Sequence, residues 1–341
     1  MSSVFETFLR RGRAQVAKAA AKLKPSKPKQ SVVIHRGYGS ADDDIDKMDL
    51  ARGFENPARW EDTIKSAQQE AKNDKSLAAI LSSIYLQEGR REAFETFDVS
   101  QIPDAISSFI LRFGISKSSV ICDLGCGPGH LAYALSKRRF KNISAMDPNG
   151  EWNTGTGYLR SVAGNRINII NDLKEWRSIG GKFDAIVSQA TIHHWQHIPL
   201  VAMDARRTMK PGALWFAFSE YFANSPREFV NAINFHPTAS RYGSYEWAYP
   251  PSAYVDLIES VGFTLIAAVP YFYRNNEIVG SMRDPPADID PKRLTEEVDR
   301  SLLSGETVEW FWNEVDMFRR QDHGNRIYTE PQVLVFRRTA V

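Results

Sequence analysis

A chain of 341 residues is long enough to bury one large core or two modest ones. Its 43% hydrophobic and 25% charged residues are the proportions of a soluble globular protein, and a net charge of +2 gives no overall attraction to nucleic acid. Two cysteines, Cys122 and Cys126, exclude a disulfide framework and a Cys-based zinc centre and fit a reducing, cytoplasmic setting, and no run of 18 apolar residues is available to span a bilayer.

Residues 1–30 carry eight Lys or Arg against one acid, Glu6. Phe5, Phe8, Gly12, Val16, Ala20 and Leu23 fall near one helical face, with Arg10, Arg11, Arg13, Lys18 and Lys22 mostly elsewhere. A basic amphipathic stretch of this kind suits peripheral contact with an anionic membrane or a protein partner, or an organelle-targeting sequence. A solvated tail is the plain alternative. Lys24-Pro25-Ser26-Lys27-Pro28-Lys29 and Asp42-Asp43-Asp44 read as linker, so 1–45 are expected to lie outside the fold.

From 46 to 116 the pattern is helical. Asn56-Pro57 is a cap followed by a first-turn proline. Leu77, Ile80, Leu81, Ile84 and Tyr85 step by three and four, and Ile102 to Phe113 form a further helix closed by Gly114. These helices are expected to cap the domain over 117–341.

That domain opens on Val120 to Leu131, V-I-C-D-L-G-C-G-P-G-H-L. An apolar run is followed by a tight turn with Gly125, Gly127 and Gly129, then by Leu131 and Leu135 four apart. Strand, glycine turn and helix bring a backbone close to a nucleotide-like ligand. A second strand, Asn142 to Met146, ends at Asp147, where a carboxylate at the strand's carboxyl edge can accept from two ribose hydroxyls. Arg166 to Ile170 end at Asn171-Asp172. Phe183 to Ser188 open onto Gln189-Ala190-Thr191-Ile192-His193-His194-Trp195. A helix from about Pro199 leads through Lys210-Pro211-Gly212 to a fifth strand, Ala213 to Phe218, and to Ser219-Glu220. Strands alternating with helices predict a parallel sheet covered on both faces.

D-L-G-C-G-P-G resembles the first motif of class I S-adenosylmethionine-dependent methyltransferases. Asp147, Asn171-Asp172, F-D-A-I-V-S followed by I-H-H-W, and M-K-P-G-A-L-W-F extend that resemblance over roughly 117–270, and Q-V-L-V-F-R-R at 332–338 resembles the family's last strand. The resemblance implies a doubly wound, seven-stranded, mostly parallel α/β sheet that binds S-adenosyl-L-methionine. It places the cofactor on Asp123, Leu124, Gly125, Cys126, Gly127 and Gly129. Asp147 and Pro148 are placed at the ribose, Asn171 or Asp172 at the adenine edge, and Gln189 and Ala190 at the methyl side. Two stretches depart from the pattern. One is an aromatic segment over 220–252, a candidate acceptor wall. The other is a helical insert over 274–327, with one helix starting at Asp290-Pro291 and a second carrying Val308, Trp312, Val315 and Phe318.

A sulfonium donor is already activated, so the enzyme's tasks are positioning and exclusion of water. His194 and then His193 are candidate bases for an acceptor hydroxyl, and Glu220 is a candidate acceptor contact. Adjacent histidines without a third ligand predict no metal. The acceptor is expected to be a small molecule or glycan, methylated on oxygen ahead of nitrogen. A nucleic-acid amino-methylating enzyme is disfavoured, because the fourth strand ends Ser188-Gln189-Ala190-Thr191 rather than in an N-P-P-Y-like motif. The alternatives are a non-catalytic assembly or membrane adaptor that keeps the fold, and a nicotinamide-dependent enzyme, which the G-x-G-x-G spacing disfavours.

Overall fold

The computed structural model describes residues 57–235, 239, 247–280, 284–320 and 328–340. The basic tail at 1–45 lies outside the described residues, as do parts of the aromatic segment and of the insert.

Seven strands form one sheet in the order β3-β2-β1-β4-β5-β7-β6. These are β1 (Val120–Leu124), β2 (Asn142–Met146), β3 (Ile167–Ile170), β4 (Phe183–Gln189), β5 (Met209–Phe218), β6 (Phe263–Pro270) and β7 (Pro331–Arg338). The first five pair in parallel, and β7 runs antiparallel between β5 and β6. The predicted doubly wound sheet is thus present, with its antiparallel edge. β5 starts earlier than its apolar run because Met209 pairs with Phe183, and a register shift between Phe183 and Ala185 takes up Lys210-Pro211-Gly212.

β1 pairs with β2 on one side and β4 on the other, so the strand order reverses there. In an open α/β sheet the crevice beyond the carboxyl ends at such a point is where ligands bind. Local chemistry places Leu124, Met146, Gln189 and Phe218 at that edge. β1 and β2 are short, mostly buried runs that stop at Gly125 and Asp147.

Helices alternate with the strands. They are α1 (Pro57–Ala71), α2 (Lys75–Ser83), α3 (Arg90–Asp98), α4 (Ile102–Arg112), α5 (His130–Lys137), α6 (Gly157–Ala163), α7 (Leu173–Ser178), α8 (Ile198–Thr208), α9 (Pro226–Phe235), α10 (Pro251–Glu259), α11 (Pro291–Ser301) and α12 (Glu306–Arg319). One face of the sheet packs Phe109 and Ile110 of α4, Leu131 and Leu135 of α5, and Leu294 and Val298 of α11. The other face packs Trp176, Val201, Tyr254 and Phe311 from α7, α8, α10 and α12. Helices α1 and α2 have a small core of their own, built from Ile64, Ala67, Leu77, Leu81 and Leu86.

The caps follow ordinary side-chain chemistry. Asp290 accepts from the Lys292 N–H at 2.9 Å and starts α11, as the Asp-Pro pair predicts. The insert is fastened to α4 by Arg112, whose Nη1 donates to Asp299 at 2.6 Å and to the Tyr273 hydroxyl at 2.7 Å. Burial pushes the Tyr273 phenol well above its ordinary range.

Candidate active site

The glycine turn closes on the neighbouring strand. Gly125 and Cys126 donate their N–H groups to the Met146 carbonyl at 2.8 and 3.1 Å. Its three glycines do different work. A Cβ on Gly125 would lie 2.3 Å from Thr191 Oγ1, and one on Gly129 would lie 2.4 Å from Leu159 Cδ2, so both are needed for close packing. A Cβ on Gly127 would meet nothing nearer than the Thr154 carbonyl at 3.7 Å. The middle of the turn is therefore open, a cradle for a ligand that approaches the backbone.

Two carboxylates flank this cradle. Asp123 is 2% exposed, and its Oδ2 accepts from the Ala132 N–H at 3.0 Å. Burial, with some help from the charge of Asp147, pushes its carboxyl up to about 7. Asp147 accepts from Gly127 N through Oδ2 and from Asn149 N through Oδ1, both at 2.8 Å. Burial outweighs these two bonds and pushes it up to about 6. A carboxylate accepts about four hydrogen bonds, so each group can still receive ligand donors.

The loop after β2 is tied from beneath and above. Asn171 donates through Nδ2 to the Asp147 carbonyl at 2.6 Å and to Thr156 Oγ1 at 2.8 Å, and its Oδ1 accepts from Arg160 at 2.5 Å. Both amide hydrogens are engaged within the loop. Asp172 caps α7 through Oδ1, which accepts from Lys174 N at 2.7 Å. Pro148 follows Asp147 into this loop.

The helical segment supplies groups that sequence reasoning missed. Glu61 on α1, 2% exposed, accepts from Asn153 Nδ2 at 2.6 Å, Thr154 Oγ1 at 2.8 Å and Thr154 N at 3.0 Å. These hydrogen bonds outweigh the cost of burial and hold its carboxyl below the ordinary value. Arg90, at the start of α3, donates to the Tyr85 carbonyl at 2.9 Å and lies 3.3 Å from Nε2 of His130, the first residue after the glycine turn. Desolvation lowers the Arg90 guanidinium to about 10 and pushes the His130 imidazole well below its usual range. No local motif announces either pairing.

At the mouths of β4 and β5, Ala190 and Ser219 adopt left-handed backbone, with φ of 49° and 56°. Non-glycine residues held there store of the order of 1 kcal/mol each, as functional edges often do. Gln189 ends β4 beside them. Next comes a single 3-10 turn, Ile192–His194, capped by Glu220. Its carboxylate accepts from Thr191 N, Ile192 N and His193 N at 3.1 to 3.3 Å, and His193 Nδ1 lies 2.9 Å from Oε2. Glu220 is thereby drawn inward beneath the turn.

Aromatic rings surround this turn. His194 lies 6.1 Å from Trp60 of α1 and 4.3 Å from the His193 ring. The Trp247 N–H donates to the His193 carbonyl at 2.9 Å, and Trp247 stacks between Phe229 and Tyr249 at 5.3 and 5.8 Å. The buried Tyr254 hydroxyl sits 3.0 Å from the Tyr221 carbonyl and 2.9 Å from that of Trp247, which knots both ends of the segment. Among the described residues no group of three metal-ligating side chains is present.

A sheet of order 3-2-1-4-5-7-6, a glycine cradle at its switch point and an acid at the end of β2 define an α/β enzyme that holds a nucleoside ligand across its carboxyl edge. Residues 99–268 match the family described as a methyltransferase domain. The chain thus carries a class I S-adenosylmethionine-dependent methyltransferase domain, with S-adenosyl-L-methionine as its cofactor. No curated protein matches it in sequence.

Solved structures are similar in fold. A protein of Galdieria sulphuraria assigned as a sarcosine dimethylglycine methyltransferase shares 13% identity at a TM-score of 0.42, covering 73% of this chain and 88% of that one. The geranyl diphosphate C-methyltransferase of Streptomyces coelicolor shares 11% at 0.42, covering 70% and 77%. Phosphoethanolamine N-methyltransferase 2 of Haemonchus contortus shares 15% at 0.41, covering 70% and 53%.

Proposed function

We propose that the protein methylates a hydroxyl of a small-molecule or glycan-type acceptor seated between the donor cradle and the aromatic wall. Nitrogen is the second candidate for the acceptor atom. The carrying observation is the placement of a histidine turn directly after the β4 mouth, flanked by the rings of Trp60 and Tyr221 and tied by the Trp247 main-chain N–H to the stacked aromatic segment. Such rings cover the flat or ring-shaped face of an acceptor and keep water out.

When bound, the sulfonium donor supplies an electrophilic methyl group. The chain's residues do the rest. The open backbone at Gly127 admits the amino-acid portion, with Leu124 and Cys126 shaping the turn and Asp123 beside it. Asp147 takes the ribose hydroxyls on its remaining lone pairs, Asp172 reaches the adenine edge through Oδ2, and Gln189 and Ala190 line the methyl side. A histidine of the 192–194 turn takes the acceptor proton. No helix among the described residues is long and apolar enough to cross a membrane. Residues 1–30 are proposed as a peripheral membrane or protein contact of a cytoplasmic enzyme.

Calorimetric titration of S-adenosylmethionine tests the donor half. Wild type is expected to bind, and Asp147→Ala to bind at least tenfold more weakly, about 1.4 kcal/mol, because two charge-assisted hydrogen bonds are lost. Equal affinities would remove Asp147 from the site. Labelled donor incubated with pools of small hydroxy compounds then tests the acceptor half, and label appearing only in proteins or nucleic acids would overturn it.

A further inference from the structure

The first turn of α1 reaches both halves of the site. Trp60 neighbours the His194 ring, and the next residue, Glu61, holds the loop that joins β2 to α6. Four donors meet the Glu61 carboxylate. They are the side-chain and main-chain N–H groups of Asn153, at 2.6 and 3.2 Å, and the hydroxyl and main-chain N–H of Thr154, at 2.8 and 3.0 Å. An ionised carboxylate only accepts, so the single hydroxyl hydrogen of Thr154 is committed to Glu61. The Thr154 oxygen is then left to accept, and Asn149 Nδ2 donates to it at 2.9 Å. The main-chain N–H of the same Asn149 donates to Asp147 Oδ1, and the Gly127 N–H donates to Oδ2 of that acid, both at 2.8 Å. The ring closes at the Thr154 carbonyl, the nearest atom that a Cβ on Gly127 would meet. Its order is Glu61, Thr154, Asn149, Asp147, Gly127 and back to Thr154. A network of this kind, away from water, holds one geometry. Helices α1 and α2 have an apolar core of their own, so the Glu61 carboxylate is a polar fastening between that pair and the sheet.

We propose that Glu61 is a positioning residue for the donor: it holds the 149–156 loop in the shape that aims Asp147 and Gly127 at the ligand, and so couples donor binding to the docking of the α1–α2 pair. This rests on the donor placement given above, with the ribose on Asp147 and the amino-acid portion at Gly127. Glu61 acts through Thr154 and Asn149, without touching the donor. The coupling is reciprocal, as linkage demands. Docked helices favour the donor-binding loop, and a bound donor favours docked helices. A glutamine at 61 breaks the ring in a specific way. Its amide offers one oxygen and one NH2, and the NH2 would meet N–H and O–H donors where a carboxylate oxygen now accepts.

The test combines donor calorimetry with hydrogen exchange of the full-length protein. E61Q is expected to stay folded by circular dichroism and to bind S-adenosylmethionine about fivefold more weakly than the wild type. T154V keeps the side-chain shape and loses only the relaying hydroxyl, and it is expected to weaken binding in the same direction. Adding donor to the wild type is expected to slow amide exchange in α1 as well as in 149–156 and the glycine turn. In E61Q the slowing should persist at the glycine turn and vanish from α1, a split that a general loss of stability would not produce. Equal donor affinity in the wild type, E61Q and T154V, or α1 exchange that the donor leaves unchanged in the wild type, would each overturn the proposal. If E61Q does not fold, T154V and the wild-type exchange decide alone. Asp147→Ala tells the two failures apart. If it weakens donor binding and the Glu61 and Thr154 variants do not, only the role of Glu61 falls. If it binds donor as the wild type does, the donor placement falls and the proposal with it.

Discussion

The carboxyl edge of the sheet holds two kinds of buried carboxylate. Among the described residues, Asp123 accepts one N–H and Asp147 two, while Glu220 is met by three main-chain N–H groups and a histidine ring. Burial pushes the first pair up to about 7 and about 6. A buried acid short of donors is costly by itself and gains from a ligand that brings them. A saturated acid has little left to offer a ligand, and its work is to hold protein groups in place. The donor side of the site is thus built to be completed, and the acceptor side is built already complete.

The glycine turn gives the strongest test of that contrast. Gly125 packs on Thr191, which leads into the turn capped by Glu220, whereas Gly127 opens onto the cradle. Gly125→Ala combines a left-handed φ of 68° with a Cβ placed 2.3 Å from a hydroxyl oxygen. It is expected to lower stability by about 2–4 kcal/mol in denaturant melts. Gly127→Ala also carries a positive φ, 50°, but meets no close atom, so about 1 kcal/mol is expected. Its main effect should be on S-adenosylmethionine affinity, because the added methyl fills the cradle. If Gly127→Ala binds donor normally, the cradle is misassigned.

Legibility in the sequence follows the same divide. The glycine turn, Asp147 and the five parallel strands were readable because each is written in a few adjacent residues whose backbone needs are local. The antiparallel β7 was readable only through resemblance, since its pairing with β5 and β6 spans the whole insert. Asn171 and Asp172 both follow β3 and are candidates for the adenine edge; that the Asn171 amide bonds the Asp147 carbonyl and Thr156 is a contact no local pattern could show. Glu61 meets Asn153 across 92 residues and His193 meets Glu220 across 27. Such pairs exist only once the sheet has brought distant strand ends together, and a side chain's partner is not encoded by its neighbours in the chain.

The under-supplied aspartates also give the site a pH signature with a definite sign. Their folded-state values lie above the ordinary carboxyl value of 3.8. For such groups the contribution to stability is fully present below the unfolded value and is lost as pH rises through about 6 for Asp147 and about 7 for Asp123. The thermal midpoint of the donor-free protein is therefore expected to fall between about pH 4 and pH 7 on this account. Donor binding runs the other way, because ribose hydroxyls need an ionised acceptor. Affinity is expected to weaken as pH drops below about 6, approaching tenfold per pH unit, and Asp147→Asn should flatten that dependence. Calorimetry across this range measures both, and an affinity independent of pH would show that Asp147 is ionised before the donor arrives.

The smallest expected effect falls on Asp172, the one acid that combines the two designs. Its Oδ1 is committed to the first turn of α7, while the residue is exposed and Oδ2 faces no described donor. Asp172→Ala removes an N-cap and is expected to cost about 1 kcal/mol of stability. A contact with the adenine amino group is a single, solvent-accessible hydrogen bond, so affinity for S-adenosylmethionine should fall by only about 1 kcal/mol, roughly fivefold. Asp172→Asn separates the two roles, because asparagine caps a helix about as well as aspartate and still offers a carbonyl oxygen. With that variant stability should be restored and affinity should recover most of the loss. If Asp172→Ala loses stability while its donor affinity equals that of wild type, Asp172 belongs with Glu220 among the acids whose work is internal, and the adenine edge is read by main-chain groups instead.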